Sequence, residues 1–237
     1  MRALLSQYFE YILAGAGVTL ALTVSSVGIG LVFGTLIALG RLSRFPVLRY
    51  AASAYITFFR GTPLLVQLLL VYMGLPFLLG TSIERWPAAI AALSMNSAAY
   101  IAEIVRAGIQ SIERGQREAG LAIGLRPRQV MTLIILPQAF RRIIPPLGNE
   151  FIAMLKDSSL VSVIALEELL RRSQIVVTRT FRPVEVYGLT ALLYLLMTSV
   201  IAHLVGRIER RLSVEGYGVV DKAGKQSRTA AISANPS

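Results

Sequence analysis

The sequence contains no cysteine, which excludes disulfides, thiolate metal sites and cysteine nucleophiles. Its single histidine, His203, makes no histidine cluster by itself, and is read as a hydrogen-bonding group between helices. Charge is scarce as well. Charged residues make up 16% of the chain and mean hydropathy is +0.62, whereas a soluble domain carries about 25% charged residues. A water-soluble fold is disfavoured. Acidic residues are the scarcest class, 13 against 24 Lys and Arg, for a net charge of +11. In a soluble protein that excess would suggest nucleic acid. Here the basic residues cluster at the ends of apolar runs, which fits the positive-inside rule instead. A Walker-type glycine loop, a second soluble domain and a long internal repeat are also lacking.

What the sequence does have is a series of long apolar runs. Residues 11–40 carry no charged side chain, more than the roughly 20 residues that a span requires. A cleavable signal peptide is not expected, because its apolar core would be only about 7–15 residues behind a basic region, and Arg2 is followed by Glu10. Gly30 and Gly34 have the small-xxx-small spacing that permits close helix approach. Arg41, Arg44 and Arg49, with Pro46 among them, end the run and mark a cytoplasmic turn.

A second span follows from Tyr50, interrupted by Phe58-Phe59-Arg60-Gly61-Thr62-Pro63 and uncharged from Gly61 to Ile83. Pro63 lacks an amide donor, so a helix irregularity is expected there, near the inner face. Arg60 belongs to that irregularity or snorkels to headgroups, and both readings stay open. Glu84 and Arg85 form a short outer turn, with Trp86 as an interfacial aromatic. The third span, residues 87–109, places Asn96, Tyr100 and Glu103 on one helical face, with Arg106 three residues beyond Glu103. The fourth is irregular, loosened by Pro145, Pro146 and Gly148, and holds Glu150, Lys156 and Asp157 in an apolar stretch ending at Leu166. Residues 167–183 read as an amphipathic segment at the outer surface, although Arg171, Arg172, Arg179 and Arg182 run against the positive-inside pattern. The fifth span covers residues 186–206.

The expected fold is therefore an all-α membrane protein of about five transmembrane helices, N-terminus outside and C-terminus inside. The membrane domain is expected over residues 1–215, with a polar tail, 216–237, that lacks apolar periodicity and is expected to be disordered.

Between the third and fourth spans lies a basic island with Arg114, Arg117, Arg126, Arg128, Arg141 and Arg142. Residues 118–125 can form a short helix ended by Gly124, and Pro127 suits the first turn of the next helix. On spacing alone this corner is either a docking knob for a cytoplasmic partner or an ordinary connector.

The island resembles the signature loop of the transmembrane subunits of bacterial ABC importers: Glu-Ala-Ala, three residues, Gly, nine residues, Ile-x-Leu-Pro. Glu118, Ala119, Gly124, Ile134, Leu136 and Pro137 match in residue and spacing, while Gly120 stands where the second alanine is usual. Phe59 to Gln67, Ala107 to Ile112, Leu136 to Ala139 and Lys156 to Leu160 resemble segments of the polar amino-acid branch of that family. The resemblance runs from about residue 11 to 215. It implies a coupling helix whose contact with a cytoplasmic ATP-binding subunit is made by Glu118, Ala119, Gly120, Ala122, Gly124 and Arg126. Glu118 either meets that partner or only favours the helix N-terminus.

It also implies a dimer with itself or a similar subunit, an extracytoplasmic solute-binding protein, a polar amino-acid cargo and a place in the bacterial inner membrane. ATP and Mg would be bound by the partner ATPase, so this chain holds no cofactor and is no enzyme. Ionisable groups are costly in lipid and usually face a cavity or one another. Asn96, Tyr100, Glu103, Lys156 and Asp157 are accordingly the candidate path. The alternatives are neutralising pairs, Glu103 with Arg106 and Lys156 with Asp157. A competing reading of the whole chain is a secondary transporter or channel that uses Glu103 and Asp157 as ion sites.

Overall fold

A computed structural model describes residues 2–212, with side chains from residue 8 onward; the expected polar tail lies outside the described residues. Every regular element among the described residues is helical. Four helices are long and apolar enough to cross a membrane, and a bent helix pair makes a fifth candidate.

Helix α1 (Arg2–Arg41) is the long uncharged run. It packs along α4 (Arg85–Gln110), and its glycines decide how closely. A Cβ at Gly30 would lie 3.0 Å from the Ser97 side chain, and one at Gly34 only 2.7 Å from the carbonyl oxygen of Ala98. The spacing read as permissive in the sequence is thus the seam between two helices, where absent side chains let the backbones approach. Helix α4 is the most enclosed of the four long spans, because α1, α2 (Pro46–Gly61), α3 (Leu64–Leu79) and α6 (Leu136–Asp157) all pack on it.

The irregularity expected at Pro63 is a full break. Helix α2 (Pro46–Gly61) and the following α3 (Leu64–Leu79) meet at 106°. Proline disfavours helical backbone in the residue before it, and Thr62 accordingly is extended, with φ −121° and ψ 149°. The buried Gln67 closes the gap. Its Nε2 lies 2.9 Å from the Phe59 carbonyl and 3.0 Å from that of Thr62, so it supplies donors to acceptors that the break leaves without helical partners. Asn96 then donates to Gln67 Oε1 at 2.9 Å and ties the corner to α4.

Beyond α4 the chain forms α5 (Arg114–Ala122), a short lead-in (Pro127–Gln129) and a π-helical turn (Val130–Ile135) that opens into α6 (Leu136–Asp157). Another π turn, Leu70–Gly74, lies within α3. Each π turn sits just ahead of a proline, Pro137 and Pro76, where the missing amide donor prevents the regular ladder from continuing. A 3-10 turn (Ser158–Ile164) leads to the amphipathic α7 (Leu169–Thr180), and α8 (Pro183–Leu212) follows.

Fully buried Glu168 caps α7, accepting from the amides of Leu170 at 2.8 Å and Arg171 at 2.7 Å. Tyr194 of α8 donates to the same carboxylate at 3.0 Å. Thr19 of α1 accepts from the Leu169 amide at 3.2 Å, so three helices converge on this one cap. Burial pushes the Glu168 carboxyl above its usual range, against the lowering effect of its donors. His203, expected between helices, is instead exposed on α8 and makes no hydrogen bond among the described residues.

Candidate functional site

The side of α4 away from α1 borders two cavities. The first, about 390 Å³, lies where the α2–α3 corner, α4 and α6 meet. Thr62, Pro63, Leu64, Asn96, Tyr100, Glu150, Ala153, Asp157 and Leu160 line it. Two carboxylates and no cation are in that lining. Glu150 is 8% exposed and accepts a hydrogen bond from Ser97 Oγ at 3.0 Å. Glu150, Ala153 and Asp157 share one face because they are three and four residues apart on α6.

The second cavity, about 420 Å³, lies toward the end of α4 nearest the basic island. Its lining includes Arg60, Tyr100, Glu103, Ser111 and Arg142, so Tyr100 is a wall of both cavities. The Arg60 guanidinium sits 5.3 Å from the centroid of the Tyr100 ring. Glu103 forms an ion pair with Arg106, one turn away on α4. Arg142 donates to the Ser111 carbonyl. A third hollow, a groove of about 500 Å³ between α1, α2 and α4, has an almost wholly apolar lining and no chemistry to offer a polar solute.

The candidate path residues are therefore divided. Asn96, Tyr100 and Asp157 meet at the first cavity, while Glu103 belongs to the second. Lys156 lines neither; it is exposed and makes no ion pair with Asp157 among the described residues. Adjacent residues on a helix point about 100° apart, and here that rotation turns Asp157 toward the first cavity and Lys156 away from it. Of the neutralising pairs considered, Glu103 and Arg106 form a direct ion pair, while Lys156 and Asp157 make no direct contact and interact only through their charges. Glu150 was not among the candidates, although its position seven residues before Asp157 on an apolar helix was a usable signal. Gln67 and Ser97 carried no such signal, since their roles depend on contacts between helices.

At the basic island, α5 begins earlier than expected, at Arg114, and ends at Ala122. Gly124 adopts φ +87°, with Gly124 N donating to the Leu121 carbonyl at 3.0 Å and Leu125 N to the Gly120 carbonyl at 3.2 Å. This paired termination needs a left-handed residue, which glycine supplies without a Cβ penalty. The Arg126 amide then donates to Gln129 Oε1 at 2.9 Å, starting the next helix at Pro127. Buried Gly120 faces Ile134 and Val130 of the π turn, where a Cβ would come within 2.7 Å and 3.0 Å of them.

Glu118, Ala119, Ala122, Gly124 and Arg126 are all exposed. Glu118 makes no side-chain hydrogen bond or ion pair among the described residues, and it lies past the first turn of α5, away from the helix N-terminus. Beside it, Leu121 is 41% and Ile123 77% exposed. A charged, glycine-ended helix flanked by bare apolar side chains is a surface suited to a protein partner.

Residues 30–214 match the family described as the binding-protein-dependent transport system inner membrane component. The chain belongs to this family. It is accordingly a multi-pass inner-membrane permease subunit without a catalytic domain, and ATP is bound by a partner ATPase. Over 202 residues it is 41% identical to the arginine transport system permease protein ArtQ of Bacillus subtilis (strain 168), covering 85% of this chain and 92% of the relative. It is 39% identical over 204 residues to the glutamine transport system permease protein GlnP of Escherichia coli (strain K12), covering 86% and 93%. A crystal structure of an amino acid ABC transporter with histidines superposes with TM-score 0.84 at 43% identity, covering 87% of the permease and 96% of that chain. An inward-facing MetNI methionine ABC transporter shares the fold, with TM-score 0.71 at 24% identity and coverage of 88% and 99%. Membership of the family sets aside a self-sufficient secondary transporter or channel.

Proposed function

We propose that this permease imports a polar amino acid with a cationic side chain, passing it through the cavity bounded by Asn96, Tyr100, Glu150 and Asp157. The observation that carries this reading is the sign of the lining: two carboxylates, one of them buried, with no cation among them. A buried carboxylate with no direct ion pair is costly and favours a cationic solute over an anionic one. Asn96 and Tyr100 add neutral hydrogen-bonding groups. The arginine and glutamine systems among the relatives support a polar amino-acid cargo.

Work would enter through α5. A cleft on the ATP-binding subunit takes Glu118, Leu121 and Ile123, with Arg126 at its rim, and Gly120 seats the helix on the π turn of its own chain. ATP-driven closure of two such subunits then tilts α5 and, through the π turn, α6, which carries Glu150 and Asp157. A second copy of this chain or a similar permease completes the path, and an extracytoplasmic solute-binding protein loads it. In this arrangement the N-terminus lies outside and the C-terminus inside, with α5 in the cytoplasm.

The test is reconstitution with the cognate ATPase and binding protein. Glu118→Lys is expected to abolish uptake and the stimulation of ATP hydrolysis by loaded binding protein, with membrane insertion intact. Uptake at the wild-type rate in that variant would remove α5 from the coupling surface. Labelled L-arginine should be taken up in preference to L-glutamate, and the opposite preference would refute the reading of the cavity.

A further inference from the structure

Arg60 closes α2 at the 106° corner, and a lipid-facing role would leave its guanidinium extended along the outer surface of the bundle. Instead the guanidinium lies over the Tyr100 ring, 5.3 Å from its centroid, and lines the second cavity together with Arg142. Neither arginine makes a direct ion pair among the described residues: Arg142 spends one donor on the Ser111 carbonyl, and Arg60 feels Glu103 and Glu150 only at longer range, Glu103 being paired directly with Arg106. The two cavities are therefore opposite in sign and share one wall. On one side of Tyr100 are Glu150 and Asp157; on the other are two guanidinium groups with donors to spare.

A guanidinium presents parallel N–H donors that match a carboxylate in a bidentate pair, and an aromatic face holds it flat for that purpose. The cation on Tyr100 is thus oriented, and its donors are not taken up by a direct ion pair. We propose that Arg60, supported by Arg142, binds the α-carboxylate of the transported amino acid. The cargo then straddles Tyr100 with its cationic side chain toward Glu150 and Asp157 and its carboxylate toward Arg60. This inference rests on the first cavity being the path, and it adds what that cavity lacks, a partner for the negative end of a zwitterion. The corner built by Thr62, Pro63 and Gln67 acquires a purpose: it ends α2 where its penultimate side chain reaches Tyr100.

The experiment measures equilibrium binding of labelled L-arginine and of agmatine, its decarboxylated counterpart. The full chain is assembled with its ATPase in lipid nanodiscs, without binding protein, so that the permease alone discriminates. The wild type is expected to favour L-arginine. In Arg60→Gln that preference should vanish, L-arginine binding weakening about tenfold and agmatine binding staying unchanged. Arg60→Lys should fall between, because a lysine holds the charge without the fork. Asp157→Asn should weaken both ligands and keep their ratio.

A wild-type ratio in Arg60→Gln, or equal weakening of both ligands, overturns the carboxylate site. If Asp157→Asn changes neither ligand while Arg60→Gln abolishes the preference, the carboxylate site stands and the acidic cavity is not the cation site. A wild-type complex that binds neither ligand overturns both. Should Arg60→Gln fail to assemble with the ATPase, Arg60→Lys and Arg142→Gln report the same ratio, and an unchanged ratio in both overturns the proposal.

Discussion

Helix α4 meets α1 along one side and borders two cavities along the other, and the two sides are built from opposite materials. The seam with α1 is made by removing atoms: Gly30 and Gly34 bring α1 against Ser97, Ala98 and Ile101 with no room for a methyl group. The cavity side is made by adding polar atoms, Asn96, Tyr100 and Glu103, at positions where packing stops. Ser97 joins the two, touching Gly30 while donating to Glu150. The contrast teaches where each kind of residue is tolerated in lipid. Small residues hold helices together by contact area, and polar ones persist where partners or an open cavity meet them.

The sharpest way to break the comparison is to fill the seam. Gly34→Leu is expected to eliminate folded permease from the membrane, because even a Cβ would meet the backbone oxygen of Ala98 at 2.7 Å, and a backbone cannot step aside as a side-chain tip can. Gly34→Ala should still fold with a loss of about 1–3 kcal/mol, the usual cost of overpacking. Thermal unfolding of the detergent-solubilised complex reads it, and unaltered stability would mean that the seam is looser than described.

The cavity side should respond in the opposite manner. Glu150→Gln and Asp157→Asn are each expected to lower uptake of a cationic amino acid about tenfold, as charge-assisted contacts are lost. For exposed Asp157, stability should stay within about 0.5 kcal/mol of wild type. Unchanged uptake kinetics across acidic, neutral and basic amino acids would remove both residues from the path.

Glu168 offers an intermediate case, polar in chemistry but structural in role. Glu168→Ala removes the α7 cap and strands the Tyr194 hydroxyl, for a cost of about 1–3 kcal/mol in unfolding. Transport by the protein that remains folded should keep its substrate preference. A shift in preference would place this junction in the site.

The smallest effect is expected at Gly28, where an added Cβ meets nothing within 4 Å. Gly28→Ala should be neutral or stabilising by less than about 1 kcal/mol, since alanine is the better helix former. A clear loss of stability would show that another chain covers this face of α1.

Much of the seam and of the docking surface was legible in the residues alone. Uncharged runs longer than a bilayer is thick declare spans whatever their neighbours, and Gly30 and Gly34 announce a close approach through spacing. Gly124 and Pro127 bracket the end of α5 and the start of the next helix through backbone chemistry that acts within a few residues. The cavities were less legible because they are made by helices far apart in sequence. Asn96 and Asp157 were singled out as intramembrane polar groups. Taken alone, Glu150 gives no sign in the sequence of whether it faces a cavity, and Lys156, a candidate for the path beside Asp157, is turned away from the cavity by the helical rotation.

By itself, then, the sequence determined the class, the apolar runs, the proline breaks and the matched spacing of the basic island, because each depends on composition or on neighbours within a turn or two. Only the tertiary structure decided that the Pro63 break is a 106° corner sealed by Gln67, that Glu103 pairs with Arg106, and that Glu150 joins Asp157. It also decided that Arg60 lies over Tyr100, between cavities of opposite sign. Those facts depend on which helices meet and at what height, and a contact between helices has no period along the chain from which to read it.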